Sequence, residues 1–406
     1  MSRRYREALV RRLEASGAIR STAVRDAFLA IPRETFIPAV ADERGIAAVY
    51  RDESYPIKLD ERGDAISSSS QPGIMAAMLE ELRASPGLRV LEIGTGTGYN
   101  AALLSSLVES RGTVTSVELD PDLARQARGA LRAVGARARV VVGDGRQGWG
   151  RSSPYDRVIV TASSLDVPRA LLHQLTEGGL LVMPLRLSDA VPFRQVVVTF
   201  ERVGDRLRSV SVIHGGFMRL RARADDPSLP WPVAEVVETR EGTRRVLASL
   251  SGSTLQRRSS EERARLLALM LSGPRTRPIG MRVRSQAQWG LEAFLALAVP
   301  EESLVGCARA DLADLLFFST SMPGVIQGRG GLSLAHLGGR KSITRIESYG
   351  TRGAEALLLR LVNEWRRRGR PDVTRLQVEV AFGRRSQRRA WRTRRRGSGV
   401  LLFDWR

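Results

Sequence analysis

Three alternate glycines follow a short apolar segment and are the residues best suited to contact a ligand. They are Gly94, Gly96 and Gly98 in LEIGTGTGYN at residues 91–100, and a helical pattern follows from residue 99 to about residue 108. A strand, a glycine turn and a helix open a nucleotide-binding βαβ unit, in which glycine lets the backbone approach the ligand. The first turn of the helix offers unpaired N–H groups to polar or anionic atoms. The pattern therefore predicts a nucleotide-type ligand at this turn.

Acidic residues stand at the ends of the next two strand patterns. Glu118 lies near the end of GTVTSVELD, and Asp144 and Gly145 end RVVVGDG. Because the carboxyl ends of parallel strands share one edge of a sheet, we expect these residues to lie near the glycines, with Glu118 placed to bind a ribose. Two alternatives stay open: Glu118 could serve a nicotinamide dinucleotide, although G-x-G-x-G differs from its G-x-G-x-x-G fingerprint, and Asp144 could form a turn.

A run of four serines precedes the glycine segment. Residues 65–73, AISSSSQPG, predict a polar loop between an extended segment at 50–59 and a helix at 74–82. One interpretation is a flexible linker. The other, which its position favours, is a loop that folds over the ligand edge of the sheet.

The elements around these residues indicate an α/β fold with a doubly wound, Rossmann-like sheet and a second, smaller α+β domain. We expect N-terminal helices within residues 1–85 and a Rossmann-like core at 86–221, together forming a domain at 1–227. The Asp- and Pro-rich residues 222–231 predict the boundary, and residues 228–406 the second domain. Predicted elements there are a helix at 260–271, an apolar segment at 289–299, a strand at 343–349, a helix at 353–367, and strands at 375–382 and 399–405.

Composition excludes several classes of protein. The only cysteine, Cys307, excludes an internal disulfide, and three scattered histidines give no metal-ligand spacing, so we expect no metal. The first 17 residues carry charges throughout, and no run of about 18 apolar residues occurs, so we expect neither a secretory signal nor a membrane span. A cytoplasmic monomer is the resulting expectation.

The net charge of +21 is concentrated in the second half of the chain. Residues 228–406 hold 32 Lys and Arg against 16 Asp and Glu, and residues 384–396 alone contain eight arginines. Such a surface suits an acidic partner by long-range attraction. We do not expect nucleic acid as that partner, because aromatic content is low and no RNA-binding signature is present.

Several blocks together resemble the protein-L-isoaspartate O-methyltransferases. They are AFLAIPRETFIP, ISSSSQPGIMAAML, LEIGTGTGYNAALL, GTVTSVELD, VVVGDGRQG, PYDRVIVTAS and VPRALLHQLTEGGLLVMPL, and they extend over about residues 7–221. The resemblance implies a class I methyltransferase fold that uses S-adenosyl-L-methionine and releases S-adenosyl-L-homocysteine.

The resemblance also assigns roles to residues of this chain. Ser70, immediately before Gln-Pro, matches the family's active-site hydroxyl residue, and Glu118 matches the carboxylate that holds the ribose hydroxyls. Asp144 and Gly145 match the segment that contacts the adenine. The remaining cofactor residues are Glu92, Gly94, Thr95, Gly96, Gly98 and Leu119, and the expected substrate contacts beside Ser70 are Ser68, Ser69 and Gln71. For Glu92, a structural hydrogen-bond acceptor is the alternative.

The implied chemistry fits these residue types. The implied reaction is an in-line transfer of a methyl group from a sulfonium to a carboxylate, which needs no general base because a carboxyl group, with a pKa near ~4, is already ionised at neutral pH. Alignment of the reacting groups can supply roughly 7–11 kcal/mol of barrier lowering. A serine hydroxyl can hold the acceptor without neutralising it.

The extension beyond residue 221 is the feature that favours one candidate function over the others. Family members with such an extension resemble enzymes that methylate an aspartate in ribosomally made peptides, after which the ester can cyclise to an aspartimide. We therefore expect tailoring of an acidic, Asp-containing peptide as the main function, with residues 228–406 capturing the peptide. The alternatives are general repair of isoaspartyl proteins, an RNA methyltransferase, and an inactive scaffold.

Overall fold

The structure is a computed structural model of the 406-residue chain. It describes residues 2–61, 63, 65–189, 194–222, 233–240, 243–283, 285–309, 322–327, 332–338, 342–382, 390–396 and 399–406. Residues 223–231 of the expected domain boundary and the first part of the arginine run, at 384–389, lie outside the described residues.

Helices and one β-hairpin precede the main sheet. In chain order they are α1 Ser2–Ala15, α2 Thr22–Ala30, α3 Pro38–Arg44, α4 Ile46–Val49, β1 Tyr55–Leu59, β2 Ala65–Ser69 and α5 Pro72–Leu82. Apolar side chains of α1, α2 and α5 are buried together with those of α6. These helices therefore cover one face of the sheet near its ligand edge.

The predicted loop over residues 65–73 is wrong for its first half. Residues 65–69 form β2, which pairs antiparallel with β1, so that Ser69 faces Tyr55 and Ser68 faces Pro56. Small polar residues on both faces of a strand leave no apolar alternation, which is the signal by which strands are predicted. The backbone pairing, rather than side-chain burial, holds the serines in an extended conformation.

A parallel sheet with helices on both faces follows. Its elements are β3 Arg89–Ile93, α6 Tyr99–Val108, β4 Thr113–Glu118, α7 Pro121–Ala133, β5 Ala138–Val142, β6 Tyr155–Val160, α8 Arg169–Gln174, β7 Leu175–Arg186, β8 Gln195–Val203 and β9 Arg206–His214. The parallel strands lie in the order β7-β6-β3-β4-β5, and β8 and β9 continue the sheet antiparallel beyond β7. The order reverses between β3 and β6, which is where doubly wound folds bind ligands.

The carboxyl-terminal half adds a second sheet. Its elements are β10 Val233–Arg240, β11 Thr243–Ser251, α9 Ser260–Leu271, β12 Arg275–Val283, α10 Ser285–Ala298, β13 Leu304–Arg309, β14 Met322–Gln327, β15 Ser333–Gly338, β16 Ile343–Gly350, α11 Gly353–Arg367, β17 Leu376–Phe382, β18 Arg392–Arg396 and β19 Gly399–Trp405. Seven of these strands form an antiparallel sheet in the order β10-β11-β13-β14-β15-β16-β12.

The last three strands join the first sheet. β17 pairs antiparallel with β9, and β19 and β18 follow, so the first sheet has ten strands among the described residues. The expected second domain therefore contributes strands to the first sheet. A division into units at 1–227 and 228–406 stays a prediction.

Helix α10 lies between the two sheets. Ala293 and Leu297 pack in the core of the first sheet, and Phe294 and Leu295 pack in the core of the second. Buried Glu292 of the same helix forms a 3.1 Å ion pair with Arg194, at the start of β8. The extension is thus packed directly against the sheet that carries the ligand edge. In the described part of the chain, no helix is long and apolar enough to cross a membrane.

Candidate active site

A cavity of about 290 Å³ lies at the carboxyl ends of the parallel strands. Its walls are the glycine turn after β3, the ends of β4 and β6, strand β2 with the residues that follow it, and the segment after β9. Ligand pockets typically measure roughly 300–1,000 Å³, so the cavity has the size of a small-molecule site. Most of the expected site residues line it: Ser68, Ser69, Ser70, Gln71, Gly94, Thr95, Gly96, Glu118, Leu119 and Gly145.

The glycine turn has the backbone shape that its sequence predicts. Gly94, Gly96 and Gly98 have φ values of +95°, +53° and +90°, which L side chains rarely adopt. A Cβ on Gly94 would lie 2.4 Å from Oγ1 of Thr161, whose hydroxyl donates to the Gly94 carbonyl. Gly98 does not line the cavity; it allows α6 to approach Ala127 of α7. The three glycines thus combine ligand access with close packing.

Gly145 closes the adjacent wall. A Cβ there would lie only 2.2 Å from Cγ2 of Ile93, at the end of β3, so a side chain would force the wall apart. Neighbouring Asp144 does not line the cavity. Its carboxylate forms a bidentate ion pair with the guanidinium group of Arg146 and accepts a hydrogen bond from the backbone N–H of Arg146. These contacts agree with the alternative that Asp144 forms a turn and does not contact the ligand.

Glu118 presents a buried carboxylate to the cavity. Its two oxygens accept backbone N–H groups from Gly96 at 2.8 Å and Asp120 at 3.1 Å. Burial raises the pKa of Glu118, and these backbone hydrogen bonds oppose the increase. A carboxylate has about four acceptor positions, so Glu118 retains capacity for two further donors, such as a pair of hydroxyl groups.

Glu92 supports the turn from behind instead of lining the cavity. Its side chain is fully buried and accepts hydrogen bonds from Nδ2 of Asn100, at 2.8 Å, and from the hydroxyl of Ser116. Ser116 in turn contacts the hydroxyl of Thr95 at 2.5 Å. Burial raises the pKa of Glu92 to about 7, and the two hydrogen bonds limit that increase. These contacts agree with the alternative role of Glu92 as a structural hydrogen-bond acceptor.

Arg33 is a supporting residue that sequence reasoning missed. It is fully buried, and one guanidinium nitrogen donates to the Ser70 carbonyl at 3.0 Å and to the Ser69 hydroxyl at 3.3 Å. The other guanidinium nitrogen donates to the carbonyls of Val49 and Arg51. An arginine is expected at the surface from its type alone. The one available signal was its place in the AFLAIPRETFIP block.

The serine segment is anchored at its other end by Asp52. The Asp52 carboxylate accepts Nε2 of Gln71 at 3.0 Å and the Gly73 N–H at 2.6 Å, at the start of α5. Arg33 and Asp52 together fix the backbone of residues 69–73, and Ser70 lines the cavity.

The segment after β9 forms the remaining wall, and the sequence analysis did not assign it to the site. Residues 216–221 line the cavity, and the backbone of Leu220 bonds to Ser163, which follows β6. A guanidinium nitrogen of Arg221 donates to the carbonyl of Ile66 on β2, at 3.4 Å. Residues 216–221 therefore connect the carboxyl end of β6 to strand β2.

The residues present fit S-adenosylmethionine. The backbone of the glycine turn is accessible to a ligand, and Glu118 has acceptor positions left for ribose hydroxyls. Because Gly145 has no side chain, the cavity extends up to Ile93. Ser70 and Gln71 place neutral polar groups in the same cavity. Among the described residues, no group of three His, Cys, Asp or Glu side chains is placed to hold a metal ion.

Comparison with known proteins supports this assignment. The family model for protein-L-isoaspartate(D-aspartate) O-methyltransferase matches residues 3–218, just over half of the chain. The protein-L-isoaspartate O-methyltransferase of Methanopyrus kandleri is 44% identical over 185 residues, which are 45% of this chain and 77% of that protein. The enzyme of the same name from Pyrobaculum neutrophilum is 37% identical over 52% of this chain and 97% of its own.

Two solved structures are also similar. One protein-L-isoaspartate O-methyltransferase is 24% identical, with 93% of this chain and 96% of that chain covered and a TM-score of 0.48. A second, from Plasmodium falciparum in complex with S-adenosyl-L-homocysteine, is 19% identical, with 53% and 98% covered and a TM-score of 0.45. The family assignment rests on the sequence matches. The chain therefore belongs to the protein-L-isoaspartate(D-aspartate) O-methyltransferase family and is a methyltransferase that uses S-adenosyl-L-methionine.

Proposed function

We propose that this enzyme methylates the free α-carboxylate of isoaspartyl residues in proteins and peptides, as the first step of their repair. The observation that carries the proposal is that Ser70 and Glu118 line one cavity. Ser70 is suited to bind an acceptor carboxylate, and Glu118 is suited to bind a ribose. The names of the relatives support isoaspartyl repair better than the peptide tailoring that we expected from the extension.

In this proposal, the cofactor end of the cavity holds S-adenosylmethionine through Gly94, Gly96, Glu118 and Gly145. When bound, the cofactor supplies an electrophilic methyl group on a sulfonium. A carboxylate is ionised at neutral pH, so no residue of the chain has to remove a proton. The enzyme's contribution is to bind, align and desolvate the acceptor.

The acceptor end is suited to hold a carboxylate without weakening it as a nucleophile. The Ser70 hydroxyl and the Gln71 amide can donate neutral hydrogen bonds, whereas a cation in direct contact would withdraw charge from the attacking oxygen. Arg33 keeps its charge on the far side of the Ser70 backbone. We expect it to position the serine without touching the acceptor.

Tailoring of one ribosomally made peptide is the second candidate. Its support is the extension itself, which carries a net charge of +16 over residues 228–406 and is packed against the catalytic sheet through α10. A basic surface of this kind would attract an acidic peptide. The ester would then close to an aspartimide. The cytoplasmic location and the monomeric state stay predictions in both cases.

A peptide panel tests the two candidates. Unrelated isoaspartyl peptides, their L-aspartyl twins of the same sequence and a constrained aspartyl peptide are assayed with labelled S-adenosylmethionine at equal concentrations. Repair predicts methylation of the unrelated isoaspartyl peptides and not of their twins. Methylation of the constrained aspartyl peptide alone would favour tailoring and would contradict the repair proposal.

A further inference from the structure

Arg219 is a cation in the cavity wall, and none of the anions among the described residues pairs with it. The charged residues that line the cavity, among those described, are Glu118, Arg219 and Arg221. Arg221 bonds to strand β2, and Glu118 bonds to the glycine turn. The side chain of Arg219, by contrast, makes no hydrogen bond or ion pair within the described part of the chain, although it is partly buried.

A second cation lies near Arg219. Burial lowers the pKa of Arg186, and the positive charge of Arg219 lowers it further, although Asp189 pairs with Arg186. An anion bound by Arg219 would therefore reduce the repulsion between the two guanidinium groups. A partly buried guanidinium is a strong, directional partner for a carboxylate.

The place of Arg219 in the wall indicates which molecule brings the anion. Arg219 pairs through its backbone with Ser163 in an isolated bridge, and two residues later Arg221 reaches the serine strand. Arg219 thus belongs to the wall segment that joins the end of β6 to the serine strand, whereas Glu118 and the glycine turn form the cofactor wall. The reacting carboxylate is a poor partner, because a guanidinium would withdraw charge from the attacking oxygen.

We propose that Arg219 binds a second carboxylate of the acceptor peptide, on an acidic side chain next to the isoaspartyl residue, and so selects acidic sequences. This inference rests on the proposed isoaspartyl activity and names its substrate class. It concerns recognition only and adds no chemical step.

Two peptides test the inference. Both contain one isoaspartyl residue, and they differ only in whether the neighbouring residue is glutamate or glutamine. The full-length enzyme is expected to prefer the glutamate peptide about tenfold in kcat/KM, through a lower KM with similar kcat. The preference should shrink at high salt.

Variants of the full-length enzyme assign the preference to Arg219. Arg219→Gln is expected to bring the preference close to one by raising the KM of the glutamate peptide, and Arg219→Glu to reverse it. Arg11→Gln changes an exposed arginine of α1 that does not line the cavity. It makes the same change in net charge and should keep the wild-type preference. Binding of S-adenosylhomocysteine shows that each variant is folded.

Each other outcome overturns the inference in a distinguishable way. If the wild type methylates both peptides equally, the inference fails and the proposed function stands. If it methylates neither isoaspartyl peptide, the proposed function itself fails. Weaker S-adenosylhomocysteine binding by Arg219→Gln would assign the guanidinium to the methionine carboxylate of the cofactor. Loss of kcat on the glutamine peptide would assign it to the reacting carboxylate.

Discussion

The two ends of the cavity are built in different ways. The cofactor end comes from consecutive strand ends of one sheet, with Gly94, Gly96, Glu118 and Gly145 inside about fifty residues of chain. The acceptor end is assembled from distant segments: buried Arg33, the serine strand β2 and the wall at 216–221. The first end depends on backbone shape, and the second depends on long-range contacts. Mutations at the first end should therefore act on cofactor binding, and mutations at the second should act on the acceptor, through its binding or its turnover.

The largest effect is expected from Arg33→Ala. The change leaves the carbonyls of Val49, Arg51 and Ser70 without their buried donor, and each unsatisfied group costs about 1–3 kcal/mol. We expect a loss of about 3–5 kcal/mol in the free energy of unfolding and at least a roughly hundredfold loss of kcat. Urea unfolding and steady-state kinetics measure the two effects.

Arg33→Lys is the matched control, because it keeps the charge but not the planar fork. It should recover part of the stability and little of the turnover, since one ammonium cannot reach both Ser70 and Val49. Full turnover in either variant would show that Arg33 does not position the serine.

Glu118→Ala should act on the cofactor. Removing an acceptor of two hydroxyl groups, each hydrogen bond to a charged group contributing about 1.5–3 kcal/mol, should weaken S-adenosylhomocysteine binding on the order of a hundredfold. Calorimetry measures the Kd, and kcat at saturating cofactor should change much less. An unchanged Kd with lost kcat would contradict the separation of the two ends.

Ser70→Ala should show the opposite behaviour. It removes one hydroxyl from the acceptor end, and we expect kcat to fall about tenfold, as for the loss of one hydrogen bond to a charged group. The Kd of S-adenosylhomocysteine should stay within about twofold of wild type. Ser106→Ala is the control and should keep kcat, because Ser106 is an exposed serine of α6 that does not line the cavity. Equal losses in the two variants would remove the special role of Ser70.

Glu92 should affect stability in a pH-dependent way, with no direct effect on the acceptor. Its pKa is raised to about 7, chiefly by burial, above the usual value near ~4.3 in an unfolded chain. The folded state therefore binds more protons between these values, so this group's stabilisation is complete below about pH 4 and falls as the pH rises through about 7. Relative to Glu92→Gln, the wild type should lose up to about 3 kcal/mol of unfolding free energy between pH 4 and pH 8. Parallel urea-unfolding profiles over this range would contradict the assignment.

Helix bounds and turns depend on neighbouring residues, and these features are predicted well from the sequence. The helical pattern at 99–108 became α6 with those bounds, and the helix at 260–271 became α9, whose capping box joins Ser259 and Glu262. The family resemblance, the fold class and the cofactor are confirmed. Caps and glycine turns act over four residues or fewer, so a sequence displays them directly.

Long-range pairing was not visible in the same way. The serine strand lacks apolar alternation, and the attachment of β17 to β9 joins residues more than 160 positions apart. Arg219 carries no local pattern that separates it from the other arginines of a very basic chain, and the only signal for Arg33 is its place in the AFLAIPRETFIP block. The sequence therefore predicts the serines of the acceptor end, whereas the contacts that position them and the wall at 216–221 are visible only in the structure.

The position of the transferred methyl group decides whether the enzyme methylates isoaspartyl residues. An isoaspartyl peptide is incubated with the full-length enzyme and S-adenosylmethionine carrying a labelled methyl group, and the product is fragmented by tandem mass spectrometry. Isoaspartyl methylation predicts a base-labile methyl ester on the isoaspartyl α-carboxyl and no label on the L-aspartyl twin. Label on another residue, or equal label on both peptides, would contradict it.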